Sequence, residues 1–145
     1  MDESTRKALA VEHCVRVNAA DLDGLLELYS PDIRFEDPVG SAWKVGHEAF
    51  REHAGTAIAA QVFEEAGEPV AAQDGRRAAV PVTATMRYLP SGPMLAQYGL
   101  ISPAADPERA RMRFQYVMVI AVNEDGLIEE MRAFWGRSDI TVLPD

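Results

Sequence analysis

Apolar residues recur at helical spacing from Ser4 to about Asn18, with Ala8, Val11 and Val15 on one stripe and Ala10, Cys14 and Val17 on its neighbour. Asp2, Glu3, Ser4 and Thr5 suit a helix start, because short polar side chains accept from the unpaired N–H groups of a first turn. Asp21 predicts a cap for a second helix through Leu22, Leu25, Leu26 and Leu28 to Tyr29. Ser30-Pro31 stops it, since the residue before a proline is disfavoured in helix. Alternation of Ile33 and Phe35 up to Glu36 predicts a short strand, ended by the turn-forming Asp37-Pro38-Val39-Gly40. Helical spacing resumes after Gly46 with Phe50, Ala54, Ala57 and Ile58.

Beyond residue 61 the period falls to two. Strands are predicted over Val62 to Ala72, Ala78 to Tyr88, Met112 to Val122 and Leu127 to Trp135. Asn123-Glu124-Asp125-Gly126 joins the last two as a hairpin, because Asp-Gly accepts the positive φ of a tight turn. Helices first and antiparallel strands afterwards predict an α+β fold. Val80, Val82, Ala84, Met86 and Tyr88 share one face, as do Phe114, Tyr116, Met118 and Ile120, and then Met131, Ala133 and Trp135. These faces build a core, and their methionines and aromatics suit an adaptable pocket lining. Residues 89–110 carry four prolines among Met94, Leu95, Tyr98, Leu100 and Ile101, a content that favours a cover over the pocket.

The length of 145 residues fits one domain over 1–145. Hydrophobic residues at 48 % and charged residues at 26 % fit a globular chain. A net charge of −9 with no basic cluster argues against nucleic acid, whose affinity comes mainly from phosphate neutralisation. No apolar run approaches membrane-spanning length, and the polar start MDESTRK lacks the order of a signal peptide, so a cytoplasmic protein is expected. Cys14 has no disulfide partner and fits a buried structural thiol.

Three residue groups carry candidate chemistry. Asp37 ends a strand, from which its carboxylate either enters a pocket or caps the following turn. Glu64 shares a face with Val62 and Ala66, and Glu65 goes with Phe63, but periodicity alone fits either phase. His13, His47 and His53 have no metal-binding spacing, and nucleotide and nucleophile-elbow motifs are missing, so neither a metal nor a cofactor is expected.

The segments Tyr29-Ser30-Pro31-Asp32 through Glu36-Asp37-Pro38-Val39-Gly40, Gly46-His47-Glu48-Ala49-Phe50, and Asn123 to Ile128 with Ala133-Phe134-Trp135 together resemble the ketosteroid-isomerase-like (SnoaL-like, NTF2-like) superfamily. That resemblance implies a cone, with a curved antiparallel sheet packed on N-terminal helices around an apolar pocket. It also puts His13 and Met118 where ketosteroid isomerase has its two oxyanion donors. A thioether cannot donate, so steroid isomerisation is not expected.

Glu64 is implied to face the pocket across from Asp37, which is similar to the epoxide hydrolase/cyclases of polyether-ionophore biosynthesis, of the monensin and lasalocid type. In that branch Asp37 would be the general base for an attacking hydroxyl and Glu64 the general acid for the epoxide oxygen, with His13 as a third polar residue. Val62, Met86, Tyr116, Met118, Met131 and Trp135 would line the site for a hydrophobic polyketide. The acid role requires Glu64 to keep its proton near neutral pH, which an apolar pocket and a second carboxylate favour. A homodimer, or an assembly with a related sister protein, would be the macromolecular arrangement. The alternatives are a polyketide cyclase, isomerase or dehydratase using Asp37 alone, and a binding or partner subunit without catalysis.

Overall fold

Residues 1–144 are described by a computed structural model, which folds them as helices packed on one face of a single mixed sheet. Helix α1 (Glu3–Asn18) starts where Asp2 Oδ1 accepts from the Thr5 amide at 2.7 Å. Its stripe of Ala10, His13, Cys14 and Val17 is buried. Helix α2 (Leu22–Leu26) is capped by Asp21, which accepts from the Gly24 amide at 2.9 Å.

The second helix is shorter than its leucine spacing predicts. Tyr29 opens strand β1 (Tyr29–Glu36) instead, because its neighbour Leu28 accepts from the Ile128 amide at 2.9 Å and Tyr29 pairs with Ile128 of a late strand. Pairing with that strand outweighs the local preference, which Pro31 already weakens.

Strand β2 (Lys44–Val45) and helix α3 (His47–Ala59) follow, the helix burying Phe50 and Ala54. The stretch expected as one strand from Val62 to Ala72 is two, β3 (Phe63–Ala66) and β4 (Val70–Ala71). Gly67 marks the break, bonding to the Pro81 carbonyl at 2.8 Å; a Cβ there would lie 2.8 Å from the Pro81 ring. The long strands are β5 (Arg77–Arg87), β6 (Arg111–Val122) and β7 (Ile128–Phe134). The hairpin between β6 and β7 forms as expected, with Gly126 at φ 81 and Asn123 Oδ1 accepting from the Asp125 and Leu127 amides at 2.9 and 3.0 Å.

The sequence pattern predicts neither β2 nor the short 3-10 turn at Arg137–Asp139, and two further elements are also unexpected. Helix α4 (Gly92–Gln97) sits inside the 89–110 segment, and β8 (Ile140–Leu143) pairs with the start of β6. Within 89–110, Leu95, Leu100, Ile101 and Ala104 pack on the core while Met94 and Tyr98 stay exposed.

The described strands run in the order β2-β1-β7-β6-β5-β3, with β4 also on β5 and β8 also on β6. All pairs are antiparallel except β1 with β7, which is parallel and corrects the purely antiparallel expectation. The phase of each long strand is the one its sequence predicts. Val80, Val82, Ala84, Phe114, Met118, Ile120, Met131 and Ala133 all face inward and are buried. Phe50 closes the core from the helix side, 4.3 Å from the Tyr29 ring and 5.1 Å from the Phe35 ring.

Candidate active site

Asp37 follows Ile33 and Phe35 at a period of two, so it leaves β1 on the buried face. Of the two alternatives open in the sequence, capping falls to its neighbour. Glu36 Oε2 accepts from the amides of Gly40 and Ala42 at 2.9 and 3.3 Å, and Oε1 takes Arg132 at 3.4 Å. The Gly40 amide, ahead of the smaller contributions, holds the Glu36 carboxyl below its usual value.

Asp37 instead meets two side chains from opposite parts of the chain. Trp135 Nε1 donates to Oδ1 at 2.7 Å, and His53 Nε2 lies 2.9 Å from Oδ2. Burial pushes this carboxyl up, but the His53 hydrogen bond and charge, with the Trp135 donor, hold it below the ordinary aspartate value. Asp37 is therefore an ionised, doubly anchored carboxylate whose side chain is 22 % exposed.

Glu64 faces inward with Val62, while Glu65 and Phe63 face out, which settles the phase that periodicity left open. Its side chain is 9 % exposed. Tyr116 donates to Glu64 Oε2 at 2.6 Å, and His13 Nε2 lies 3.5 Å from Oε1. Oε1 is buried without a hydrogen-bond partner among the described residues. On the far side of the imidazole, His13 Nδ1 and the Tyr29 hydroxyl are 2.6 Å apart.

Burial lowers the His13 pKa and raises both tyrosines well above their usual value. At neutral pH this places a neutral imidazole and two neutral phenols around one carboxyl. Cys14 is buried behind them with its thiol pushed up by burial, which fits a structural residue and no nucleophile.

From Asp37 a chain of contacts runs through His53, Phe50 and Tyr29 to His13 and Glu64, which links all three acid–base candidates through one interior region. The lining candidates divide. Val62, Met118 and Met131 are buried, whereas Met86, Tyr116 and Trp135 are half-buried. Trp135 and Tyr116 also anchor the two carboxyls directly, a duty beyond lining.

His53 and Tyr29 belong to the site without having been singled out. His53 was detectable in principle, since it lies three residues beyond Phe50 and four before Ala57 on the buried stripe of α3. A groove of about 520 Å³ lies elsewhere, on the outer sheet face among Glu65, Pro81, Thr83, Gln115, Val117 and Phe134. It holds neither Asp37 nor Glu64. Among the described residues, no cluster of metal ligands occurs and no helix is long and apolar enough to cross a membrane.

The chain is 60 % identical over 144 residues to epoxide hydrolase LasB of Streptomyces lasalocidi, an alignment covering 98 % of this chain and 51 % of that protein. It thus spans about half the length of that curated relative. Steroid Δ-isomerase of Nocardioides simplex is 28 % identical, with 95 % of each chain covered. Among solved structures, SalBIII, described as an epoxide hydrolase/cyclase-like enzyme in pyran ring formation in polyether salinomycin, superposes with a TM-score of 0.81 at 32 % identity over 97 % of both chains. The SnoaL-like domain model matches residues 10–131. With that match over most of its length, and the cone of helices and curved sheet on which the two acids are mounted, this chain belongs to the SnoaL-like domain family.

Proposed function

We propose that this protein, as one ketosteroid-isomerase-like domain, is an epoxide hydrolase/cyclase that opens epoxides of a polyether polyketide precursor by intramolecular hydroxyl attack. The observation that carries this reading is the unequal environment of the two acids. Asp37 accepts two N–H donors, while Glu64 sits in a sealed region with one unpartnered oxygen beside a neutral imidazole.

A carboxylate held by N–H donors is placed to act as a base, and opening the epoxide also needs an acid, the role assigned here to the inward-facing Glu64 carboxyl. Asp37 removes the proton from the attacking hydroxyl as its oxygen bonds to an epoxide carbon. The epoxide C–O bond breaks, and Glu64 gives its proton to the departing oxygen. Solvent exchange after product release returns one proton to Glu64 and takes one from Asp37. Tyr116 and His13 fix the Glu64 carboxyl, and the apolar walls around Val62, Met86, Met118 and Met131 suit a reduced polyketide chain.

The similarity to LasB and SalBIII supports this reaction class over steroid isomerisation, and so does Met118, which cannot donate to an enolate. A homodimer is part of the proposal, formed on the outer sheet face where Phe63, Val117 and Phe134 are exposed.

The test is conversion of a linear hydroxy-epoxide by the purified protein in water enriched in oxygen-18. Cyclic ether without the label is the expected product. Labelled diol would mean that water attacks, and no conversion of any hydroxy-epoxide would contradict the proposal.

A further inference from the structure

We infer that Asn18 is the positioning residue that aims Glu64, an inference that rests on the acid role proposed for Glu64. Strand β3 is four residues long, ends the strand order, and pairs with β5 on one side only. An edge strand this short has little of its own to fix the direction of a side chain.

At Glu64 the open side is occupied. The Asn18 amide Nδ2 donates to the Glu64 carbonyl at 2.8 Å, and the Glu64 amide donates to Asn18 Oδ1 at 2.6 Å. One side-chain amide thereby reproduces the donor and acceptor pair of a neighbouring strand. Among the described residues, no other side chain hydrogen-bonds the β3 backbone, so this support is confined to the residue carrying the carboxyl.

Asn18 is also the last residue of α1, the helix that carries His13. The same helix thus grips the Glu64 backbone at one point and places an imidazole 3.5 Å from its carboxyl at another. Backbone and side chain of Glu64 are both referenced to α1, and the carboxyl has one orientation relative to the site. Proton transfer requires hydrogen-bond reach, and a displacement of about 1 Å costs on the order of 100-fold in rate. Releasing the clamp should therefore act on turnover more than on binding.

In Asn18→Ala, turnover of the hydroxy-epoxide is expected to fall by about 10- to 100-fold with KM within twofold of wild type. Placed in a Glu64→Gln background, the same substitution should change the residual rate by less than twofold, because the group it aims is gone. Equal losses in the two backgrounds would overturn the proposal and make Asn18 a general support.

Hydrogen exchange gives a readout independent of activity. The Glu64 amide should exchange at least about tenfold faster in Asn18→Ala while the amides of Val80 and Met118 stay protected; an unchanged Glu64 amide would also overturn the proposal. If Asn18→Ala does not fold, Asn18→Leu serves for every arm, since it fills a similar volume and has neither the acceptor for the Glu64 amide nor the donor to its carbonyl. Full activity of Glu64→Gln would refute the acid role, while the exchange experiment would still decide the clamp.

Discussion

The indole N–H of Trp135 meets the Asp37 carboxylate at 2.7 Å across 98 positions of sequence, tying the end of β1 to the residue just beyond β7. This contact leaves the indole packed edge-on against Phe114 at 5.3 Å. Trp135→Phe would keep most of that packing and remove only the donor. Asp37 would then lose one of the contacts that lower its pKa, so the acid limb of kcat/KM should move to higher pH. A pH–rate profile of the variant checks this, and an unmoved limb would mean that the indole only lines the site.

His53 offers a parallel test from the helix side. His53→Ala removes the partner of Asp37 Oδ2, whereas His53→Gln leaves an amide that can donate. Turnover is expected to drop by about 10- to 100-fold in the alanine variant and to recover partly in the glutamine variant. Equal rates in the two would show that donation from this position is unimportant.

Stability should carry the signature of the buried His13. Burial lowers its pKa in the folded state, so below the ordinary imidazole value the unfolded chain binds the extra proton and the folded chain resists it. The stability contribution is complete above about pH 6.5 and is lost as pH falls through that value, with a limiting slope of about 1.4 kcal/mol per pH unit for one group. Urea unfolding between pH 7 and pH 5 measures it. His13→Gln should flatten that part of the curve, and an unchanged slope would assign it to other groups.

Phe50 joins the two aromatic residues that flank the site, Tyr29 and Phe35. It is 1 % exposed, and its truncation to alanine should cost about 3–5 kcal/mol. Denaturant unfolding gives the value directly; a loss below about 1 kcal/mol would mean that the surroundings collapse into the space.

Much of the architecture was legible because the long strands alternate cleanly. Val80 to Tyr88 and Phe114 to Ile120 face inward in the predicted phase, whereas Asp37, at a strand end beside a turn sequence, fits either a pocket or a cap by sequence alone, and it is Trp135 and His53 that meet its carboxylate. Glu64 was harder, because two adjacent glutamates on a short edge strand satisfy either phase; Asn18, 46 positions away, fixes its backbone. Tyr29 was hidden by the leucine spacing before it, which reads as continuing helix until Ile128 captures the backbone of Leu28. Helix α4 and strand β8 have weak local patterns and form against surfaces that the rest of the chain supplies.

The direct test of the central claim compares wild type, Asp37→Asn and Glu64→Gln in single turnovers of one hydroxy-epoxide, with binding measured separately for each protein. Both variants should bind substrate within about twofold of wild type and lose on the order of 100-fold or more in ring formation. A Glu64→Gln protein that cyclises at the wild-type rate while Asp37→Asn is inactive would contradict the paired mechanism and leave a single-base enzyme.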